Sequence, residues 1–248
     1  MSNISGLIIT RNEEQHIAAC IQSLQQVCDE IIIIDSESTD NTQTIAEKNG
    51  ATVIRQPFLG DGPQRSYGLA YCNNSWILNL DADERLDPDT VQQINALDLA
   101  NTLYDTFIFK RKNYVGTQWI KYAGWYPDAV SRLFNKELVD FTQVKIHTRI
   151  ESKNSKCLNC NITHYSFRDL EDMLSRLNTY SSWSARQLQK NGKKTNSFTP
   201  ISHALFFFIN SFFFRLGFLH GQMGLSVCLA KSLASYMKYA KLLELNNK

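Results

Sequence analysis

The stretch Trp76-Ile77-Leu78-Asn79-Leu80-Asp81-Ala82-Asp83-Glu84 carries a largely apolar run directly into three carboxylates, two of them one residue apart. The run reads as a buried strand. Unpaired buried charge is very costly, so carboxylates at such a strand tip meet a cation rather than the core. In open α/β sheets, ligands bind beyond the carboxyl ends of the strands. Magnesium-type ions take one or two carboxylates and complete their shell with oxygens of a bound phosphate. These residues therefore point to a metal–diphosphate site. For an isolated Asp-x-Asp the alternative is a solvated acidic turn, so the weight falls on the remainder of the first 90 residues.

Those residues read as alternating strands and helices. Ile4 to Thr10 is a short buried strand, with Asn12 as N-cap of a helix whose buried face is Ile17, Ile21, Leu24 and Cys28. Glu30 to Asp35 is a continuous β-branched run, as expected of a parallel strand covered on both sides. Ser36, Ser38, Thr39, Asp40 and Asn41 supply caps for a helix to Lys48 that stops at Gly50. A strand over 51–55, a loop with Pro57, Gly60, Gly62 and Pro63, a helix through Tyr67 to Cys72, and the Trp76–Leu80 strand follow. Strand and helix alternating in this way give a doubly wound, mainly parallel α/β sheet. Thr10 and Asp35 then sit at the same sheet edge as Asp81 and Asp83. Asp35 suits hydrogen bonds from a base N–H or a ribose hydroxyl, with Thr10 in support. Ser38, Thr39 and Asp40 read first as caps.

From Tyr104 onward the pattern changes to shorter strands at 106–110, 130–134, 139–141 and 144–150. Asp169 opens a helix through Trp183 to Gln189, and residues 198–219 are very apolar. His203, Asn210 and Arg215 interrupt that run, so a clean transmembrane helix is not expected. The chain has 248 residues and a net charge of only +2. That total hides a split: residues 1–172 hold 16 Lys and Arg against 23 Asp and Glu (−7), and 173–248 hold 10 basic residues and one acidic (+9). Such asymmetry points to an anionic surface as partner. Membrane ranks above nucleic acid, because the phenylalanine clusters lack the spacing of an RNA-stacking strand. Six cysteines without framework spacing, and no leader pattern before the first strand, give a cytoplasmic expectation. Cys157-x-x-Cys160 with His164 lacks the fourth ligand that structural zinc needs. No Gly-x-Gly-x-x-Gly follows the first strand and no P-loop occurs, which disfavours dinucleotide oxidoreductases and P-loop NTPases.

Thr10-Arg11-Asn12-Glu13, Asp35-Ser36-Glu37-Ser38-Thr39-Asp40, Gln64-Arg65 and Asp81-Ala82-Asp83-Glu84, in this order and spacing, resemble family 2 inverting glycosyltransferases of the GT-A fold. Gly124-Trp125-Tyr126-Pro127-Asp128, Arg132-Leu133-Phe134, His147, His164-Tyr165 and Lys238-Tyr239-Ala240-Lys241-Leu242 resemble the subgroup of lipopolysaccharide-core β-1,4-glucosyltransferases that add glucose to a heptose. The resemblance implies that Thr10, Asn12 and Glu13 border the nucleotide, Asp35 contacts uracil or ribose, and Arg65 holds the base or diphosphate. It further implies that Asp83 ligates Mg²⁺ or Mn²⁺, with Asp81 toward the ribose and the metal. Two departures stand out. Glu37 occupies a position where glycine is typical, and Thr148 follows His147 where the subgroup has Glu.

For the base that deprotonates the acceptor, Asp128 is the candidate, because Trp125 and Tyr126 beside it offer apolar faces to a sugar ring. The alternative for Asp128 is an ordinary Pro–Asp turn. Glu84 is the second candidate, although its place next to Asp83 also suits metal support or helix capping. His147, His164, Arg132 and Arg149 suit acceptor or diphosphate contacts, Arg matching phosphate geometry best. The expected organisation is a catalytic domain at 1–165 and a helical, basic, membrane-associating extension at 166–248, peripheral on the inner face of the cytoplasmic membrane. The expected reaction is hexose transfer, most simply from UDP-glucose, to a lipid-linked saccharide. A polyprenyl-phosphate sugar transferase and a catalytically silent membrane scaffold are the rival readings.

Overall fold

The structure, a computed structural model, describes residues 3–141 and 150–247. In chain order the elements are β1 (Ile4–Thr10), α1 (Ile17–Leu24), β2 (Glu30–Asp35), α2 (Thr42–Lys48), β3 (Thr52–Arg55), α3 (Asp61–Leu69), β4 (Trp76–Asp81), β5 (Glu84–Leu86), α4 (Pro88–Asn95), β6 (Thr106–Val115), β7 (Gln118–Trp119), β8 (Asp128–Asn135), β9 (Asp140–Phe141), β10 (Ile150–Glu151), β11 (Ser155–Phe167), α5 (Leu170–Lys190), α6 (Thr199–Ile209) and α7 (Gly221–Asn246). The described chain divides into two compact units, Met1–Arg111 with Asp128–His164, and Lys112–Pro127 with Tyr165–Lys248.

In the first unit β3, β2, β1 and β4 are parallel neighbours, continued by β8, β6, β11 and β5. The apolar runs are unbroken because both sheet faces are covered. Ile4, Ile8, Ile31, Ile33, Leu78 and Leu80 face α1 through Ile17, Ile21 and Leu24. Leu7, Ile32, Ile34 and Ile77 face the opposite side, where Tyr67 and Leu69 of α3 pack. Parallel register aligns Thr10 with Asp35 and Ile9 with Asp81, so three polar strand ends share one edge.

Several local expectations change. Asn12 does not cap α1, which begins after His16; it takes a left-handed φ of 55° instead. Its side-chain Oδ1 accepts from Thr39 N at 2.8 Å and its own N–H donates to Ser38 Oγ at 2.9 Å. Helix α3 begins at Asp61, inside what reads as a loop, because Gly60 turns the chain at φ 113°. The Pro127-Asp128 pair is not an isolated turn, since Asp128 opens β8. Arg149 and His147 lie outside the described residues, as does most of the expected 144–150 strand.

Glu37 sits at φ 59°, in the region where Cβ crowds the backbone, which explains why a glycine suits this turn. Glu37→Gly is expected to raise stability by about 1 kcal/mol, measured by urea denaturation, since the left-handed penalty exceeds the added freedom of the unfolded chain.

The second unit builds its own core from Val115, Ile120, Ala123 and Trp125, packed with Met173, Val227 and Cys228. Lys112–Pro127 therefore belong with the C-terminal helices, whereas a single boundary at residue 165 assigns them to the catalytic domain. Helix α5 is capped as read from sequence, with Asp169 accepting from Asp172 N at 2.8 Å.

Candidate active site

The turn after β4 is closed by Glu84, whose Oε2 accepts the Asp81 backbone N–H at 3.1 Å. Glu84 is fully buried, and its other oxygen is bonded by Arg132 and by Arg111 Nη1 at 3.1 Å. A carboxylate so enclosed, with both oxygens bonded, supports the turn.

Arg132 reaches this turn because β8 pairs with β4, Leu133 lying across from Leu78. Its Nη2 donates to Asp81 Oδ2 at 2.5 Å. Arg65, from α3, donates to Asn79 Oδ1 and, through Nη2, to Asp81 Oδ1 at 2.6 Å. Burial disfavours the Asp81 charge, yet Arg132 and Arg65 hold its carboxyl well below the usual carboxylate range. Each Asp81 oxygen thus has an arginine partner. Arg132, only 7% exposed, is a partner of Asp81 and Glu84. Buried guanidinium–carboxylate pairs of this kind hold geometry, because losing either member leaves an uncompensated charge.

Asp83 differs. Among the described residues no arginine pairs with it; its neighbour is His164, Nε2 lying 3.5 Å from Oδ1. The β5–β11 register sets His164 across from Glu84, which carries the imidazole to the turn. Burial lowers the His164 pKa, but the Asp83 charge and hydrogen bond, with Glu84 behind, leave it raised. Among the described residues no group of three or more His, Cys, Asp or Glu gathers into a metal cage. A carboxylate and an imidazole nevertheless fit an ion whose remaining ligands arrive with a diphosphate.

Asp128 is held by a residue that sequence reasoning missed. The β6–β8 register sets Arg111 opposite Asp128, and Arg111 Nε and Nη2 bind Asp128 Oδ2 at 2.9 and 2.7 Å. Arg111 therefore joins Asp128 to Glu84, and Arg132 joins Glu84 to Asp81. Nothing in the sequence near Arg111 signals this; it follows from strand pairing alone.

The remaining expected residues fall at the same sheet edge, with different immediate partners. Asp35 is fully buried, accepting from Ser38 N at 2.9 Å, Ser38 Oγ at 2.5 Å and Gln43 Nε2 at 2.5 Å. Its first task is to build the β2–α2 turn. Thr10 Oγ1 is buried and has no hydrogen-bond partner among the described residues, so the edge contains an unmet hydroxyl. Glu13 N donates to Thr42 Oγ1 at 2.8 Å. In the second unit, Trp125 is 4% exposed with Lys231 Nζ 4.1 Å over its ring, so it is core and offers no free face to a sugar. Tyr126 is half-buried, edge-on to Trp119 at 5.3 Å.

A mainly parallel sheet with an acidic turn at its carboxyl edge, beside the polar ends of β1 and β2, is the arrangement expected of a GT-A glycosyltransferase. The sequence pattern of glycosyl transferase family 2 matches residues 5–155, and the chain belongs to that family. An uncharacterized glycosyltransferase of Rickettsia felis is 32% identical over 98% of this chain and 90% of its own length. The lipopolysaccharide core biosynthesis glycosyltransferase LpsC of Rhizobium meliloti is 30% identical over 90% of this chain and 84% of its own. Residues 1–349 of S. aureus TarS share the fold with a TM-score of 0.50 at 16% identity, covering 99% of this chain and 91% of that one.

Proposed function

We propose that this glycosyltransferase moves a hexose, glucose from UDP-glucose, onto a lipid-linked saccharide such as a heptose of lipopolysaccharide core, with inversion. Transfer would take place at the inner face of the cytoplasmic membrane. The observation that carries the reading is the unequal treatment of the carboxylates. Asp81 and Glu84 are each bonded by two arginines, whereas Asp83 has an imidazole beside it and Asp128 is bonded by Arg111. Environments that separate two acidic groups in this way assign them different tasks. The likeness to LpsC supports a core-saccharide acceptor.

Asp83, with His164, would hold Mg²⁺ or Mn²⁺, which supplies charge neutralisation for the departing diphosphate. Thr10 Oγ1 offers an unmet hydrogen bond to the nucleotide, and Asp35 with Asn12 and Glu13 shapes the loops around it. Asp128 takes the proton of the acceptor hydroxyl. As that hydroxyl oxygen bonds to the anomeric carbon, the bond to the UDP oxygen breaks, and one in-line displacement inverts the centre. Mass spectrometry of products, after offering a panel of nucleotide sugars with cell-envelope glycolipid, tests the reading. A glycolipid heavier by one hexose, formed from UDP-glucose with Mn²⁺ or Mg²⁺, is the expected result. Transfer from another donor, or onto polyprenyl phosphate, overturns the named substrate pair.

A further inference from the structure

The second unit carries a basic cavity inside an apolar surface that no part of the transfer chemistry uses. Helix α6 ends in a π-helical turn, Asn210–Phe214, followed by Leu216 at a left-handed φ of 57° and a 3₁₀ turn, Gly217–His220. A leucine in that conformation is uncommon and costs energy, and π-turns inside helices mark functional positions. The break is held in place: the Arg215 carbonyl accepts from Ala123 N at 2.8 Å, and His220 Nε2 accepts from Lys121 N at 2.8 Å.

Around this break the surface is strongly apolar. Phe206 is 71% exposed and Phe214 79%, and Phe213, Phe218 and Leu219 are exposed as well. No single described helix is long and apolar enough to cross a membrane; the pair Thr199–Phe214 and Gly217–Asn246, bent by 70° at its break, has together the length and composition of a broken span or a re-entrant loop. A sharply bent apolar pair that presents phenylalanine on its outside suits re-entrant insertion into one leaflet.

A cavity of about 200 Å³ opens here, its polar lining supplied by Asn210, Ser211, Arg215 and Lys231. No carboxylate lines it. Gly124, at φ 75°, forms one wall; a Cβ there would strike the Arg215 guanidinium. Lys231, which also lines the cavity, lies with its ammonium 4.1 Å over the Trp125 ring. Among the described residues no carboxylate pairs with Arg215, and the sequence has no Asp or Glu between Asp172 and Glu244.

We infer that Arg215 and Lys231 form a binding site for the phosphodiester of an anionic phospholipid, with the surrounding phenylalanines in the acyl region of the same leaflet. Two cations with the Asn210 amide match a phosphate group, and the arginine fork matches its oxygens. A free phosphate ion satisfies the cations but leaves Phe206, Phe213 and Phe214 against water. A lipid covers both at once, and the charge complementarity is the reason to choose a bilayer over a second copy of this basic unit.

The inference rests on the proposed lipid-linked acceptor, and UDP binding measured without vesicles tests that reading separately, so the two can fail apart. The full-length protein is sedimented with vesicles of phosphatidylcholine alone and of phosphatidylcholine with phosphatidylglycerol. The wild-type chain is expected to prefer the anionic vesicles at least about fivefold. Arg215→Gln should lose about fivefold on the anionic vesicles and nothing on the neutral ones, and Arg215→Lys should keep most of the preference. Phe214→Ser should weaken binding to both. Equal binding of wild type and Arg215→Gln to anionic vesicles overturns the site. Full competition by millimolar inorganic phosphate assigns it to a free anion, and a stable dimer that excludes vesicles assigns the apolar face to self-association. Either result overturns the lipid assignment.

Discussion

Asp128→Asn is expected to lower the turnover number a hundredfold to ten-thousandfold, the range by which a positioned base accelerates proton transfer. The carboxylate opens β8 and its Oδ2 is bonded by Arg111, which lies opposite it in the β6–β8 pair. The amide keeps the size of the side chain and one acceptor oxygen for Arg111, so the fold and donor affinity should survive. Steady-state kinetics with calorimetric UDP binding separates these effects: turnover falls while the UDP dissociation constant stays within about twofold. A variant with full turnover would show that the acceptor needs no base, as a phosphate acceptor does not, and would favour the polyprenyl-phosphate reading.

Asp83→Ala should reduce transfer on the order of a thousandfold, the scale of losing one principal electrostatic stabiliser of a leaving group. Metal-dependent UDP binding should disappear with it. Stability should change little, because Asp83 has no arginine partner among the described residues and its removal strands no buried guanidinium. Asp81→Ala gives the contrast: it takes from Arg65 and Arg132 one of the two carboxylates each holds, leaving Asp61 and Glu84, and is expected to destabilise the fold by about 1.5–3 kcal/mol. Calorimetric titration of UDP with Mn²⁺, alongside thermal denaturation, distinguishes the two variants. Retained metal-dependent UDP binding by Asp83→Ala would refute the assignment of that residue.

The parallel strands were legible because burial on both faces writes itself into sequence as unbroken β-branched runs, as in Glu30–Asp35. Other elements were not. Strand β11 buries Leu158, Cys160 and Ile162 at a period of two, but Ser155, Lys156, Asn159, Asn161, Thr163 and His164 around them are polar, so the run does not stand out. Helix α4 had an available signal in Asp87 followed by Pro88, a start pattern that went unused. The acidic turn could be located from spacing alone, yet which carboxylate is free depends on partners 16 to 51 residues away. Arg111 and the burial of Trp125 belong to the same class, since strand register and the second unit's core decide them, and no local pattern encodes either.

The loops after β1 and β2 are sewn together by Asn12 to Ser38 and Thr39, Glu13 to Thr42, and Glu14 to Asp40 and Asn41. Because each loop supplies the hydrogen-bond partners of the other, they must shift as one body or not at all. Their order is established during folding, so a nucleotide arriving at this edge encounters walls already set and loses little affinity to arranging them.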